Sequence, residues 1–144
     1  MIKIIAGGKK HTSEYTAIIH DYEKRLRKPW DITWEFVEEE KLAKKLASWP
    51  FDRSREFVIC CDERGENITS RNFSDKLYGA LSTNRDVVIL IGGAYGFDAT
   101  VREKADFVWS FSRLVFPHMI ARLIATEQIY RASEITKGSA YHHE

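Results

Sequence analysis

The sequence predicts an α/β domain with a mostly parallel sheet flanked by helices. Three observations carry this. Short apolar runs alternate with helical patterns from one end of the chain to the other, the signature of repeated strand–helix units. The run Asp86-Val87-Val88-Ile89-Leu90-Ile91 is apolar and β-branched after its first residue, as expected of a strand buried on both faces of a parallel sheet. The 144 residues suffice for one core but not for two ordinary domains, so 1–144 reads as a single domain.

Each element follows from local chemistry. Met1-Ile2-Lys3-Ile4-Ile5-Ala6 reads as the first strand. Thr12 or Ser13 offers a cap for a helix to about Leu26, with Glu14 in its first turn, and Pro29 ends that segment. Asp31 to Val37 alternates and reads as a strand. Glu38 to Trp49 reads as an exposed helix stopped by Pro50. Glu56 to Cys61 is a short buried strand, and Asp62-Glu63-Arg64-Gly65-Glu66 reads as a turn. Ser70 to Ser82 is helical, and a short helix is expected over Asp98 to Lys104. Phe107 to Ser110 reads as a fifth strand. Pro117 suits the first position of a last helix, which runs to about Ile135 before Gly138.

Composition narrows the function. A net charge of +1 gives no general pull toward nucleic acid or membrane. No apolar run approaches the roughly 18 residues of a membrane span, so a cytoplasmic protein is expected. Cys60 and Cys61 are adjacent in a strand, where neighbouring side chains point to opposite faces. That geometry disfavours pairing with each other, and neither CxxC nor HExxH metal spacing occurs.

Four segments hold candidate chemistry. Gly92-Gly93-Ala94-Tyr95-Gly96 follows the central strand, where open α/β sheets bind ligands. It is not a GxGxxG fingerprint, and a plain tight turn explains it equally well. Phe111-Ser112-Arg113-Leu114-Val115-Phe116 is too apolar for a solvated loop. It reads as either a core crossing or the wall of a pocket. In the last helix apolar residues cover most of the wheel, leaving a polar arc of Arg122, Thr126 and Ser133. Such a helix is expected to face core on one side and a partner on the other. Glu127 and Arg131 are four apart in the apolar part and read as a partly buried ion pair, with a substrate contact by Arg131 as the alternative. The chain closes on Tyr141-His142-His143-Glu144, residues suited to binding and proton transfer.

Taken in order, Gly92 to Gly96, Trp109 to Ser112, Phe116-Pro117-His118, Glu127 to Ala132 and Tyr141 to Glu144 closely resemble the RlmH family, small SPOUT-class methyltransferases. The resemblance covers essentially the whole chain. It implies a SPOUT-type fold with a C-terminal trefoil knot and a homodimer. It also implies S-adenosyl-L-methionine as methyl donor, with no metal. The expected reaction is methylation of N3 of a pseudouridine in 23S ribosomal RNA of the assembled ribosome. The cofactor pocket is expected to include Cys61, Gly92, Phe111, Ser112, Arg113, Leu114, Val115 and Phe116. Family members commonly carry leucine where Cys61 stands. Tyr141 and Glu144 are expected over the target nucleotide. His142 or His143 is the expected proton acceptor, and Arg131 or Arg113 the expected stabiliser of charge on the ring. The alternatives are a SPOUT enzyme acting on another RNA such as tRNA, and a non-catalytic ribosome-binding module.

Overall fold

In the computed structural model, which describes residues 1–93 and 96–143, five strands form one parallel sheet. They are β1 (Ile2–Gly7), β2 (Ile32–Val37), β3 (Glu56–Glu66), β4 (Asp86–Ile91) and β5 (Phe107–Trp109). Their order is β2-β1-β4-β3-β5. Every neighbouring pair is parallel. The helices between them are α1 (Ser13–Glu23), α2 (Glu39–Ser48), α3 (Ser70–Leu81), α4 (Ala99–Lys104) and α5 (His118–Lys137).

Strand alternation divides the core in two. Ile2, Ile4 and Ala6 of β1, Ile59 of β3, and Val87, Ile89 and Ile91 of β4 share one face with α3 residues Phe73 and Leu77 and α5 residues Ala125 and Ile129. Ile5, Val58, Cys60, Val88 and Leu90 share the other with Leu42 and Leu46 of α2 and Val101 of α4. Cys60 and Cys61 thus belong to opposite faces, as their adjacency requires.

Two local expectations are corrected. The segment 62–66 is not a turn after β3 but its continuation: Glu66 pairs with Trp109 of β5 across a register shift that begins at Cys61. The Asp62 carboxylate accepts the Arg64 backbone N–H at 2.9 Å, which bends the strand without ending the ladder. Pro117 occupies the cap of α5 rather than its first helical residue, and α5 continues to Lys137 before Gly138 turns left-handed at φ 74°. The buried face of α5 includes its polar arc: Arg122, Thr126 and Ser133 are all buried. All of their side-chain polar atoms except Nε of Arg122 find internal partners. Arg122 donates to the Gly7 and Lys9 carbonyls at 3.0 and 2.9 Å. Thr126 and Ser133 donate to the carbonyls of Arg122 and Tyr130. The apolar arc of Met119, Ile120, Leu123 and Ile124 instead lies half-buried on the outer side.

Candidate active site

The parallel register brings the carboxyl ends of β3, β4 and β5 level: Cys61 pairs with Ile91 and with Trp109. A cavity of about 630 Å³ opens there, the position and size expected of a ligand site in an open α/β sheet. Its floor comes from Cys61, Ile91 and Gly92, and its walls include Trp109, Phe111, Ser112, Leu114, Val115 and Phe116. The sequence-predicted pocket residues therefore converge, with one exception. Arg113 is solvent-exposed and does not line the cavity, although both of its neighbours do. Ala94 and Tyr95 of the glycine loop, and Glu144, lie outside the described residues.

The loops are held in place by hydrogen bonds. Ser110 donates through its backbone N–H to the Glu66 carbonyl at 2.9 Å, and Asn67 donates through Nδ2 to the Ser110 carbonyl at 2.8 Å. Phe111 meets Trp109 edge-on with centroids 4.5 Å apart, and Trp109 stacks on Phe73 at 4.0 Å. Leu114 and Val115 are 68% and 77% exposed, so the outer lip of the cavity is apolar surface facing water.

Several wall residues escape the sequence reading. Asp62 is buried, receives both arms of Arg64 at 2.9 Å, and has Arg102 3.8 Å away. Burial raises its pKa, but the Arg64 bonds outweigh this and hold the carboxyl below the usual range. Arg64 and Arg102 also donate to the Phe97 carbonyl, which ties the end of β3 to the loop after β4. His118 and Glu63 also line the cavity. The signal that could have found Asp62 and Glu63 is the one that found Gly92: both follow the apolar part of a parallel strand at its carboxyl end. Burial pushes the Cys60 thiol up to about 12 and the Cys61 thiol well above its ordinary value. A thiol held in its neutral form gives the cavity floor a small apolar surface at Cys61.

The tail residues gather elsewhere. Arg131 donates to Glu127 through Nε at 2.9 Å and Nη2 at 2.7 Å, giving the expected partly buried pair. The Tyr141 hydroxyl donates to the same carboxylate at 3.2 Å, and its ring meets Tyr130 edge-on at 4.9 Å. Burial, then the Glu127 charge, pushes the Tyr141 phenol up to about 12. Nη1 of Arg131 lies 3.1 Å from Nδ1 of His142, and the guanidinium lies 4.9 Å from the Tyr141 ring. None of these groups lines the cavity of the same chain. Arg131 is more than three turns beyond His118 on α5, about 20 Å at the helical rise.

Known proteins resemble this arrangement along the whole chain. A family model described as "Predicted SPOUT methyltransferase" matches residues 1–142. The "Ribosomal RNA large subunit methyltransferase H" of Desulfitobacterium hafniense (strain Y51) is 36% identical over 156 residues, covering 98% of each chain. Its namesake from Dictyoglomus thermophilum is 36% identical over 151 residues, covering 99% of each. A solved structure from Haemophilus influenzae Rd KW20, of a "probable methylase family protein", shares the fold. Its TM-score is 0.60 at 11% identity, over 99% of this chain and 70% of that one.

Proposed function

This chain belongs to the SPOUT methyltransferase family, and within it to the ribosomal RNA large subunit methyltransferase H proteins; on that premise we propose that it methylates N3 of a pseudouridine in 23S ribosomal RNA of the assembled ribosome, using S-adenosyl-L-methionine. It is a methyltransferase of large-subunit ribosomal RNA. The target atom and the state of the substrate are the further steps taken here.

The observation that carries the reading is the cavity at the carboxyl ends of β3, β4 and β5. Its residues suit the cofactor. Trp109, Phe111 and Phe116 offer flat apolar walls for a purine, while Glu63, Ser112 and His118 offer polar groups for ribose and amino-acid portions. Cys61, Gly92 and residues 111–116 would hold it, with Arg113 at the rim. S-adenosylmethionine supplies, when bound, a methyl group on a sulfonium centre. The protein's own work is to align the acceptor nitrogen with that methyl group and to remove the proton that N3 carries. We assign proton removal to His142 or His143, and stabilisation of negative charge on the ring to Arg131 or Arg113. Tyr141 and Glu144 are placed against the target nucleotide.

The separation of cavity and tail on α5 supports a homodimer in which one copy's tail completes the other's cavity. The outward apolar arc of α5 and the exposed Leu114 and Val115 supply the surface such a pairing would cover. The family's trefoil knot is part of the same proposal. Among the described residues no helix is long and apolar enough to cross a membrane.

The test is methyl transfer from labelled cofactor onto assembled ribosomes, protein-free ribosomal RNA and tRNA, read by mass spectrometry of nucleosides. A methylated pseudouridine in 23S RNA, formed chiefly on ribosomes, is expected. Label in tRNA would move the substrate assignment. Failure of calorimetry to detect cofactor binding would favour a non-catalytic ribosome-binding module.

A further inference from the structure

The turn that follows α1 carries Lys24, Arg25, Arg27 and Lys28, all exposed, with no carboxylate between them. Of the two acids that precede the turn, Asp21 pairs with Lys24 at 3.0 Å, and Glu23 accepts the Trp34 indole N–H at 2.8 Å. Arg27 donates through Nη1 to the carbonyls of Lys24 and Leu26, both at 3.0 Å, which fixes the shape of the turn. Arg25 joins this turn to the tail. Its guanidinium lies 6.0 Å from the Tyr22 ring and 5.8 Å from the Tyr130 ring. Tyr22 and Tyr130 are 5.7 Å apart, and Tyr130 meets Tyr141. A series of basic and aromatic contacts therefore runs from Arg25 through Tyr22, Tyr130, Tyr141 and Arg131 to His142, with Lys24, Arg27 and Lys28 exposed at its start.

We propose that residues 24–28 form a docking surface for the phosphate backbone of RNA flanking the nucleotide that the tail addresses. Alternating guanidinium and aromatic groups suit an unpaired RNA strand, whose phosphates take the cations and whose bases take the rings. Ordinary acidic protein surface would use the cations but not the interleaved tyrosines. The near-neutral net charge of the whole chain makes a local basic turn the more telling. The proposal rests on the assignment of an RNA substrate above.

The experiment compares wild-type protein with K24A/R27A/K28A, leaving Arg25 and its packing intact. Equilibrium binding to 23S RNA and to isolated large ribosomal subunits is measured across a salt series. K44A, an exposed lysine of α2 on the opposite layer, is the control. Each lost phosphate contact should lower the slope of log affinity against log salt by about 0.7–0.9. The triple variant should therefore lose about two units of slope on both partners and at least tenfold in affinity at moderate salt. K44A should match wild type, and cofactor binding should be unchanged in all variants. An unchanged slope in the triple variant overturns the proposal. Loss confined to subunits also overturns it, in favour of a ribosomal protein as the partner. Methyl transfer by wild type is scored separately: its absence sinks the functional assignment, while binding still decides the role of the turn.

Discussion

Arg131 holds His142 by the nitrogen that a base would use: Nη1 stands 3.1 Å from Nδ1. A guanidinium only donates, so Nδ1 must accept, and the neutral ring carries its proton on Nε2. His142 is oriented but occupied, and it can take a proton at Nδ1 only after the tail leaves Arg131. Replacing His142 with Ala should slow single-turnover methylation by about 100-fold while leaving the cofactor dissociation constant unchanged. Full activity in H142A/H143A would remove the tail histidines from the chemistry.

Gly92 tests the cavity. A Cβ there would lie 3.2 Å from the Gly96 backbone, so a larger side chain must displace that loop. Gly92→Val should weaken S-adenosylmethionine binding by more than about tenfold, about 1.4 kcal/mol, measured by calorimetry. Wild-type affinity would place the cofactor elsewhere.

Leu114→Asp and Val115→Asp test assembly. Each puts a charge on the apolar lip of the cavity, and sedimentation velocity should show a shift to monomer with loss of methylation. Mixing H142A/H143A with Gly92→Val should restore turnover, since one hybrid site then combines an intact cavity with an intact tail. No recovery from a proven mixed dimer would return the tail to its own chain's site.

His11 sets an acid limit on stability. Burial, then the Arg122 charge, lowers its pKa from 6.5 to about 4. The unfolded chain therefore takes up this proton at higher pH than the folded one. The contribution is complete above about pH 6.5 and is lost as pH falls toward 4. It is on the order of 1–2 kcal/mol once solvent screening is allowed for. His11→Ala should flatten urea-measured stability across that window, and an unchanged acid slope would show that other groups govern it.

Gly65 is required by the pairing of β3 with β5. A Cβ would fall 2.4 Å from the Val108 carbonyl oxygen, a backbone atom that cannot turn aside. Gly65→Ala should cost at least about 2 kcal/mol in urea unfolding. A cost within experimental error would show that β5 can shift as a unit.

The elements legible in the sequence are those whose side chains state their own environment. The run Val87 to Ile91 could only be a doubly covered strand, and it lies at the centre of the sheet. Residues 111–116, Arg113 apart, wall the cavity, which is one of the two readings their apolar composition allows. The extension of β3 was hidden because Asp62, Glu63, Arg64 and Gly65 carry turn chemistry, yet they continue the strand along the cavity edge. The inner face of α5 was hidden for a different reason. A helical wheel assigns polar residues to water, but Arg122 is buried against carbonyls of β1, a partner more than a hundred residues away in sequence. Local periodicity carries no information about such a bond. Nor does it show that the tail clusters with Glu127 and Arg131 at the end of α5 remote from the cavity.

The bonds from Arg122 to Gly7 and Lys9 span 115 and 113 residues of chain. A chain cut short before α5 keeps β1 laddered to β2 and β4 but lacks the donor for the Gly7 and Lys9 carbonyls, so the exit of the chain from β1 is held only by a residue made more than a hundred positions later.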